Sequence, residues 1–207
     1  MSENKQLIIT IGRQFGSMGH KIAHQLGKEL DLPVVDKDLL FLMAENHGFD
    51  GDFLKNYDEK PVNHWTSGEA RGMSNSIEKV LADMIFKYQS DLVATGGSFI
   101  FVGRCAEWNL RGCGNHIRIF ITADDDARIA HIAELRELSK KDAEALMHKM
   151  DKRRKNYNHS HGNKHWGETE NYDLIVNTSD LGLEGSVEVI KNYVNVWKKK
   201  NSIDTDD

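Results

Sequence analysis

Residues 6-QLIITIGRQFGSMGHKIAHQLGKEL-30 carry the reading on which the fold turns. The opening 6-QLIITI-11 is a short β-branched run, 12-GRQFGSMG-19 is a glycine-bearing segment, and 20-HKIAHQLGKEL-30 puts Ile22, Ala23, Leu26 and Leu30 on one helical face. Strand, glycine-rich loop and helix follow one another without a gap. In such a unit the N–H groups of the loop and of the helix N-terminus point at one spot and carry partial positive charge, which makes it a place for a phosphate. Glycine removes the Cβ that would block the approach. The alternative is a strand-to-helix turn with no ligand.

Working outward, 33-PVVD-36 reads as a second short strand stopped by an acid, and 37-KDLLFLMAENHG-48 as a helix closed by Gly48. Residues 49–75 are polar with weak periodicity and read as irregular or short-helical. Residues 76–90 read as a helix, 98-SFIFV-102 as a strand ending in the turn 103-GRCAEWNL-110, and 116-HIRIFIT-122 as a further alternating strand. An acidic first turn opens the helix 123–135, Ser139 caps a long charged helix to Tyr157, and a last strand (173–179) and helix (184–197) close the chain. Strands alternating with helices predict an α/β fold, a parallel sheet with helices on both faces. The final 198-KKKNSIDTDD-207 reads as a frayed tail.

The 207 residues are enough for one core, and 39% hydrophobic with 29% charged content is a globular balance. Apolar runs are far too short to span a bilayer, and MSENKQ lacks the basic-then-apolar pattern of a signal peptide, so a cytoplasmic protein without a membrane partner is expected. Two cysteines, Cys105 and Cys113, suit a reducing compartment and form no metal or redox motif. A net charge of −5 argues against a nucleic-acid partner. His159, His161 and His165 place three imidazoles in seven residues, a possible Zn²⁺ or Ni²⁺ set or simply a polar loop.

The loop departs from the phosphate-loop pattern G-x-x-x-x-G-K-[ST]. Aligned on Gly16-Ser17, the last Gly becomes Met18, the Lys becomes Gly19 and the position two on becomes Lys21. Charge must then come from elsewhere: Arg13 inside the loop is the preferred source, Lys21 on the first helical turn the second. Ser17 is the loop's only hydroxyl, open to a phosphate, to Mg²⁺ or to capping the helix. Arg104, directly after Gly103, lies where the strands of open α/β folds end and ligands bind. Asp36 ends the second strand at the same edge, as a ligand-binding acid or a helix cap. Lys152, Arg153, Arg154 and Lys155 form a basic run near a helix end.

The stretch ITIGRQFGSMGHKIAHQLGKEL, then LPVVDKDLL, resembles the start of the cytidylate-kinase-like family, a divergent branch of the P-loop nucleoside monophosphate kinases. The likeness continues through 102-VGRCAEWNL-110, 116-HIRIFITADDDARIAHI-132, 151-DKRRKNY-157 and 165–194, and is poor only at about 49–75. The resemblance implies a P-loop NTPase-type sheet with a small helical lid. It implies one domain over 1–200, with a substrate-binding insert at about 37–90, a lid at about 150–170 and a tail at 201–207. It also implies ATP and Mg²⁺ as cofactors and transfer of a phosphoryl group to a pyrimidine monophosphate, CMP or dCMP. Gly12, Arg13, Gly16, Ser17, Met18, Gly19, His20 and Lys21 would then hold the nucleotide, and Ser17 the metal. Asp36 and Arg104 would hold the acceptor, and Arg13, Arg104, Arg153 and Arg154 would be catalytic. Trp166 and Tyr172 are expected to pack the lid on the body. The rival reading is a catalytically weak nucleotide sensor, or a kinase of another small acceptor, on the same fold.

Overall fold

A computed structural model describes residues 6–36, 71–162 and 165–203. The chain order is β1 (Ile8–Arg13), α1 (Gly19–Leu30), β2 (Val34–Val35), α2 (Arg71–Ala94), β3 (Phe99–Val102), α3 (Ala106–Asn109), β4 (His116–Thr122), α4 (Asp125–Arg136), α5 (Lys140–Ser160), β5 (Leu174–Asn177) and α6 (Thr178–Lys200). The expected helix 37–48 and most of the segment 49–75 lie outside the described residues.

All five strands pair in parallel, in the order β2-β3-β1-β4-β5. With β1 in the middle, its ends have neighbours on both sides, so every turn leaving its carboxyl end meets turns leaving β3 and β4. Side chains alternate across the pleat. Ile9 and Ile11 of β1 face the same way as Ile117, Ile119 and Ile121 of β4, and this layer is closed by Ile22, Ala23 and Leu26 of α1 and by Val187, Ile190 and Val194 of α6. On the other face Ile8, Val35 and Phe101 pack with Ala106, Leu110 and the α2 residues Ile85, Tyr88 and Leu92. The parallel sheet covered on both faces is therefore present, and the alternation in 116-HIRIFIT-122 supplies Ile117, Ile119 and Ile121 to one of them. Among the described residues no helix is long and apolar enough to cross a membrane.

α2 runs from Arg71 to Ala94 where 76–90 is expected, and other boundaries also differ from the sequence expectation. β1 extends to Arg13, because its ladder with β4 continues through Gly12 opposite Phe120 and Arg13 opposite Ile121. Arg13 is thus a strand residue and not a loop residue. α6 starts at Thr178, capped by the Asn177 side chain, which accepts the Ser179 N–H, and kinks at Gly182. The tail is not frayed from Lys198: the helix runs to Lys200, and Ile203 folds back, buried, with its N–H on Lys198 O at 3.1 Å. The cap expected for α5 is present, with Ser139 Oγ accepting the Asp142 N–H at 3.2 Å.

Gly27 lets α1 lie directly on the chain that turns back into β2. A Cβ there would fall 2.5 Å from Val34 Cγ2 and 2.9 Å from the Leu32 carbonyl oxygen. Alanine in a helix interior normally gains about 1 kcal/mol over glycine, but the backbone oxygen cannot yield as a side chain can. Gly27→Ala should lower unfolding stability by about 1–2 kcal/mol in urea titrations, the overpacking cost outweighing the propensity gain.

His116 opens β4 with Nε2 2.8 Å from Thr10 Oγ1. Burial, helped by the Arg118 charge and opposed by Asp173, pushes its imidazole from 6.5 down to about 4. The unfolded chain takes up a proton below its ordinary value that the folded chain refuses, so stability falls as pH drops from 6.5 towards 4 and is flat above. Thermal melts of His116→Gln should lose less between about pH 7 and about pH 5 than those of the native chain; equal losses would dispose of this assignment.

Candidate active site

The segment between β1 and α1 is held from three sides. Gln14 donates its N–H to Ile121 O at 3.0 Å, and its side-chain oxygen accepts the Thr122 hydroxyl and, at 3.3 Å, the Ala123 N–H. Phe15 donates its N–H to Asp151 Oδ1 at 2.7 Å, and its carbonyl accepts Arg128 Nε at 2.8 Å. His131 Nδ1 meets Gly16 O at 2.9 Å. Gly16 (φ 85°) and Met18 (φ 60°) both take the left-handed conformation, which turns the chain sharply into α1. For Met18 that geometry costs about 1–2 kcal/mol, supplied by the surrounding contacts.

Arg128 is the anchor. Its side chain is 3% exposed and reaches Phe15 O, Asp125 Oδ1 at 3.0 Å on its own helix, and Asp151 on α5. A guanidinium cannot lose its proton to escape burial, so it has to be paired. Asp151 joins the Phe15 N–H and Arg128, and so ties α5 to the loop.

At the first turn of α1 the first amide with a carbonyl partner is that of Ile22, on Met18 O at 3.0 Å. Among the described residues the amides of Gly19, His20 and Lys21 have none, which leaves the helix N-terminus able to take an anion.

Arginines converge beside it. The Arg13 guanidinium lies against Gly103 so closely that a Cβ there would overlap Nη1, and the Arg13 stem packs on Gly19. Arg154 Nη1 donates to Arg13 O at 2.8 Å, and its guanidinium stands 5.4 Å from the Phe15 ring centroid. Gly103, Arg104 and Cys105 are three successive left-handed residues (φ 69°, 54° and 57°), a strained turn that follows β3 directly. Arg104 stands over the Tyr157 ring at 5.8 Å. Arg13, Arg104 and Arg154, from three different elements, thus gather at the carboxyl edge of the sheet. Arg153 is half-buried on α5 one residue before Arg154.

Other expected residues sit differently. Ser17 is 1% exposed, and its hydroxyl donates inward, 2.9 Å from Gln14 O and 3.2 Å from Ile121 O. It neither caps α1, whose cap position is Met18, nor fits as a metal ligand in this arrangement. Gly12 and Gly19 are buried, and Lys21 is exposed. Asp36 is 6% exposed, and one oxygen, Oδ2, lies 2.9 Å from His20 Nε2 and 2.8 Å from His24 Nε2. His159, His161 and His165 form no ligand grouping among the described residues. His161 Nδ1 bonds Tyr157 O at 2.7 Å, and His165 Nδ1 pairs with Glu168 at 2.7 Å. Trp166 and Tyr172 pack around Phe120, with centroids at 5.4 and 4.9 Å, as expected for body packing.

The profile of the cytidylate kinase-like family matches residues 8–180. The chain belongs to that family. Membership in the cytidylate kinase-like family makes it a kinase-like protein of nucleotides or small molecules. A search of curated proteins finds no significant match. Among solved structures, an uncharacterized protein from Eubacterium ventriosum is 27% identical with a TM-score of 0.73, over 92% of this chain and 99% of that one. Shikimate kinase from Bacteroides thetaiotaomicron is 11% identical (TM-score 0.50; 91% and 98% covered), and that from Aquifex aeolicus 16% identical (TM-score 0.50; 92% and 97% covered). These two share the kinase-like fold.

Sequence reasoning missed Arg128 and Asp151. Arg128 had a visible signal, a charge lying on the same stripe as Ile129 and Ile132. Asp151, one acid before a basic run, had none. Removing it leaves Arg128 buried with, among the described residues, only the exposed Asp125 as an acid partner, so Asp151→Ala should cost on the order of 3 kcal/mol of unfolding stability in urea titrations. The loss should be matched by faster amide exchange at Phe15.

Proposed function

We propose that this protein transfers the γ-phosphoryl group of ATP to a pyrimidine nucleoside monophosphate, CMP or dCMP. The observation that carries the reading is the gathering of Arg13, Arg104 and Arg154 beside the open N-terminus of α1. Phosphoryl transfer asks the protein to hold two anionic substrates in line and to neutralise the charge that spreads over the transferring group. Gly12, Gly16, Met18, Gly19, His20 and Lys21 form the donor-phosphate cradle. Arg13 supplies the positive charge that a loop lysine supplies elsewhere; its packing on both Gly19 and Gly103 supports a role between donor and acceptor. Arg104 holds the acceptor phosphate, with Asp36 on the same edge. Arg153 and Arg154 on α5 close over the transferring group and exclude water. Mg²⁺ enters on the ATP phosphates, and no protein ligand is assigned to it, since Ser17 turns its hydroxyl inward.

Two observations favour a second reading, a nucleotide-binding protein with little turnover. The loop lysine is absent, and Asp151 already occupies the Phe15 N–H, putting an acid at the loop.

A coupled ADP-release assay with Mg²⁺-ATP and a panel of CMP, dCMP, UMP and purine monophosphates decides between them. We expect turnover with a cytidine nucleotide, and a fall in kcat/KM of at least about 100-fold in both Arg13→Ala and Arg104→Ala. Nucleotide binding by calorimetry without turnover on any acceptor would establish the second reading.

A further inference from the structure

His20 and His24 are four residues apart on α1 and therefore share one face of the helix. Asp36, at the end of β2, comes to that face from the neighbouring strand. The two imidazoles converge through Nε2 on the same carboxylate oxygen, at 2.9 and 2.8 Å, with ring centroids 4.5 Å apart. Among the described residues this is the one grouping of three side chains whose ligand atoms all lie within 4.8 Å of one another. We propose that His20, His24 and Asp36 form a binding site for a divalent transition-metal ion of the Zn²⁺ type. This goes beyond the phosphotransfer reading and does not rest on it.

Two imidazole nitrogens and one carboxylate oxygen are the donor set of open, three-ligand sites, and two histidines at i and i+4 on a helix are the common way to aim two of them at one point. Donors bound at about 2.1 Å with tetrahedral angles stand ~3.4 Å apart. To admit the ion the rings draw back from Asp36 by about 0.5 Å, and the two imidazole nitrogens, within 4.8 Å of one another, settle at the same spacing. They are free to do so: the His20 and His24 side chains are 50% and 43% exposed, while the carboxylate that anchors the site is 8% exposed. In the metal-free arrangement each ring presents an Nε2–H to Asp36. On binding, that proton moves to Nδ1, or leaves to solvent from a charged ring, and the Nε2 lone pair goes to the metal. Nitrogen donors select Zn²⁺, Co²⁺ or Ni²⁺ over Mg²⁺, which prefers all-oxygen shells and keeps its waters. Three protein ligands leave at least one position for water or an anionic oxygen. The cluster abuts Gly19, so that position belongs to the same edge of the sheet as the loop.

The test uses the full-length chain without an affinity tag, stripped by chelator and titrated with Co²⁺, without nucleotide, in excess Mg²⁺. We expect one Co²⁺ per chain, with visible d–d absorption, displaced by Zn²⁺ and not by Mg²⁺, and a Zn²⁺-dependent rise in Tm. His20→Ala and His24→Gln each remove one ligand from a half-exposed position, so the fold should survive. Changes in groups that merely support a ligand cost 10- to 100-fold in affinity, so the loss of a ligand should weaken Co²⁺ binding by about 100-fold or more. A His159→Ala/His161→Ala double variant should bind like the native chain. Sub-stoichiometric uptake by the native chain, displacement by Mg²⁺, unchanged affinity in His20→Ala and His24→Gln, or loss only in the His159/His161 variant would overturn the proposal. The cluster would then be a hydrogen-bonded one. Because no nucleotide is present, failure here leaves the phosphotransfer reading standing, and the reverse also holds.

Discussion

The buried guanidinium of Arg128 has to be neutralised where it lies, and the groups that neutralise it are the ones that shape the site. Asp125 belongs to its own helix, the Phe15 carbonyl to the loop after β1, and Asp151 to α5. One side chain thus joins three segments far apart in the sequence. A short, uncharged residue at 128 could satisfy none of them, and the Phe15 carbonyl would lose the donor that ties it to α4. The arrangement couples loop and α5 tightly, since a charge paired at low exposure is costly to separate. Any movement of α5 over the site must either carry the loop with it or exchange the Asp151 contacts for others.

That coupling bears on how charge is distributed at the carboxyl edge. The turn Gly103–Cys105 accepts strain in two side-chain-bearing residues, and strain persists only where surrounding contacts over-determine it. What it achieves is placement. Gly103 lets the Arg13 guanidinium lie on the backbone, and Arg104 comes out next to it, facing Tyr157 on the helix that also carries Arg154. In the proposed phosphotransfer, the positive charge that phosphate-loop proteins concentrate in one lysine would be spread over arginines from β1, the β3 turn and α5. Arginine suits this, being always charged and able to present two parallel donors to a phosphate.

Much of the framework was legible in the sequence because it depends on local period. The alternation of 116-HIRIFIT-122, the stripe Ile22-Ala23-Leu26 and the Ser139–Asp142 cap are each decided by residues within a few positions of one another. The strand boundary at Arg13 was not legible, because the pairing that extends β1 lies about a hundred residues away on β4. Ser17 shows the same limit: a lone hydroxyl in a glycine loop fits three roles on paper, and the carbonyl of Ile121 supplies a fourth.

Histidines show the division most sharply. Counting along the chain points to His159, His161 and His165, which are close in sequence but form no ligand grouping among the described residues, His161 turning to Tyr157 O and His165 to Glu168. The set that converges, His20, His24 and Asp36, needs a helix and a strand end to be brought side by side. By itself the sequence determined the alternation of strands and helices, the place of the glycine-bearing loop and the family, since these are written in neighbouring residues. Only the tertiary structure decided which charges meet. Arg128 finds Asp151, Arg154 finds the Arg13 carbonyl and two histidines find one aspartate because sheet pairing and helix packing set distances that no spacing along the chain records.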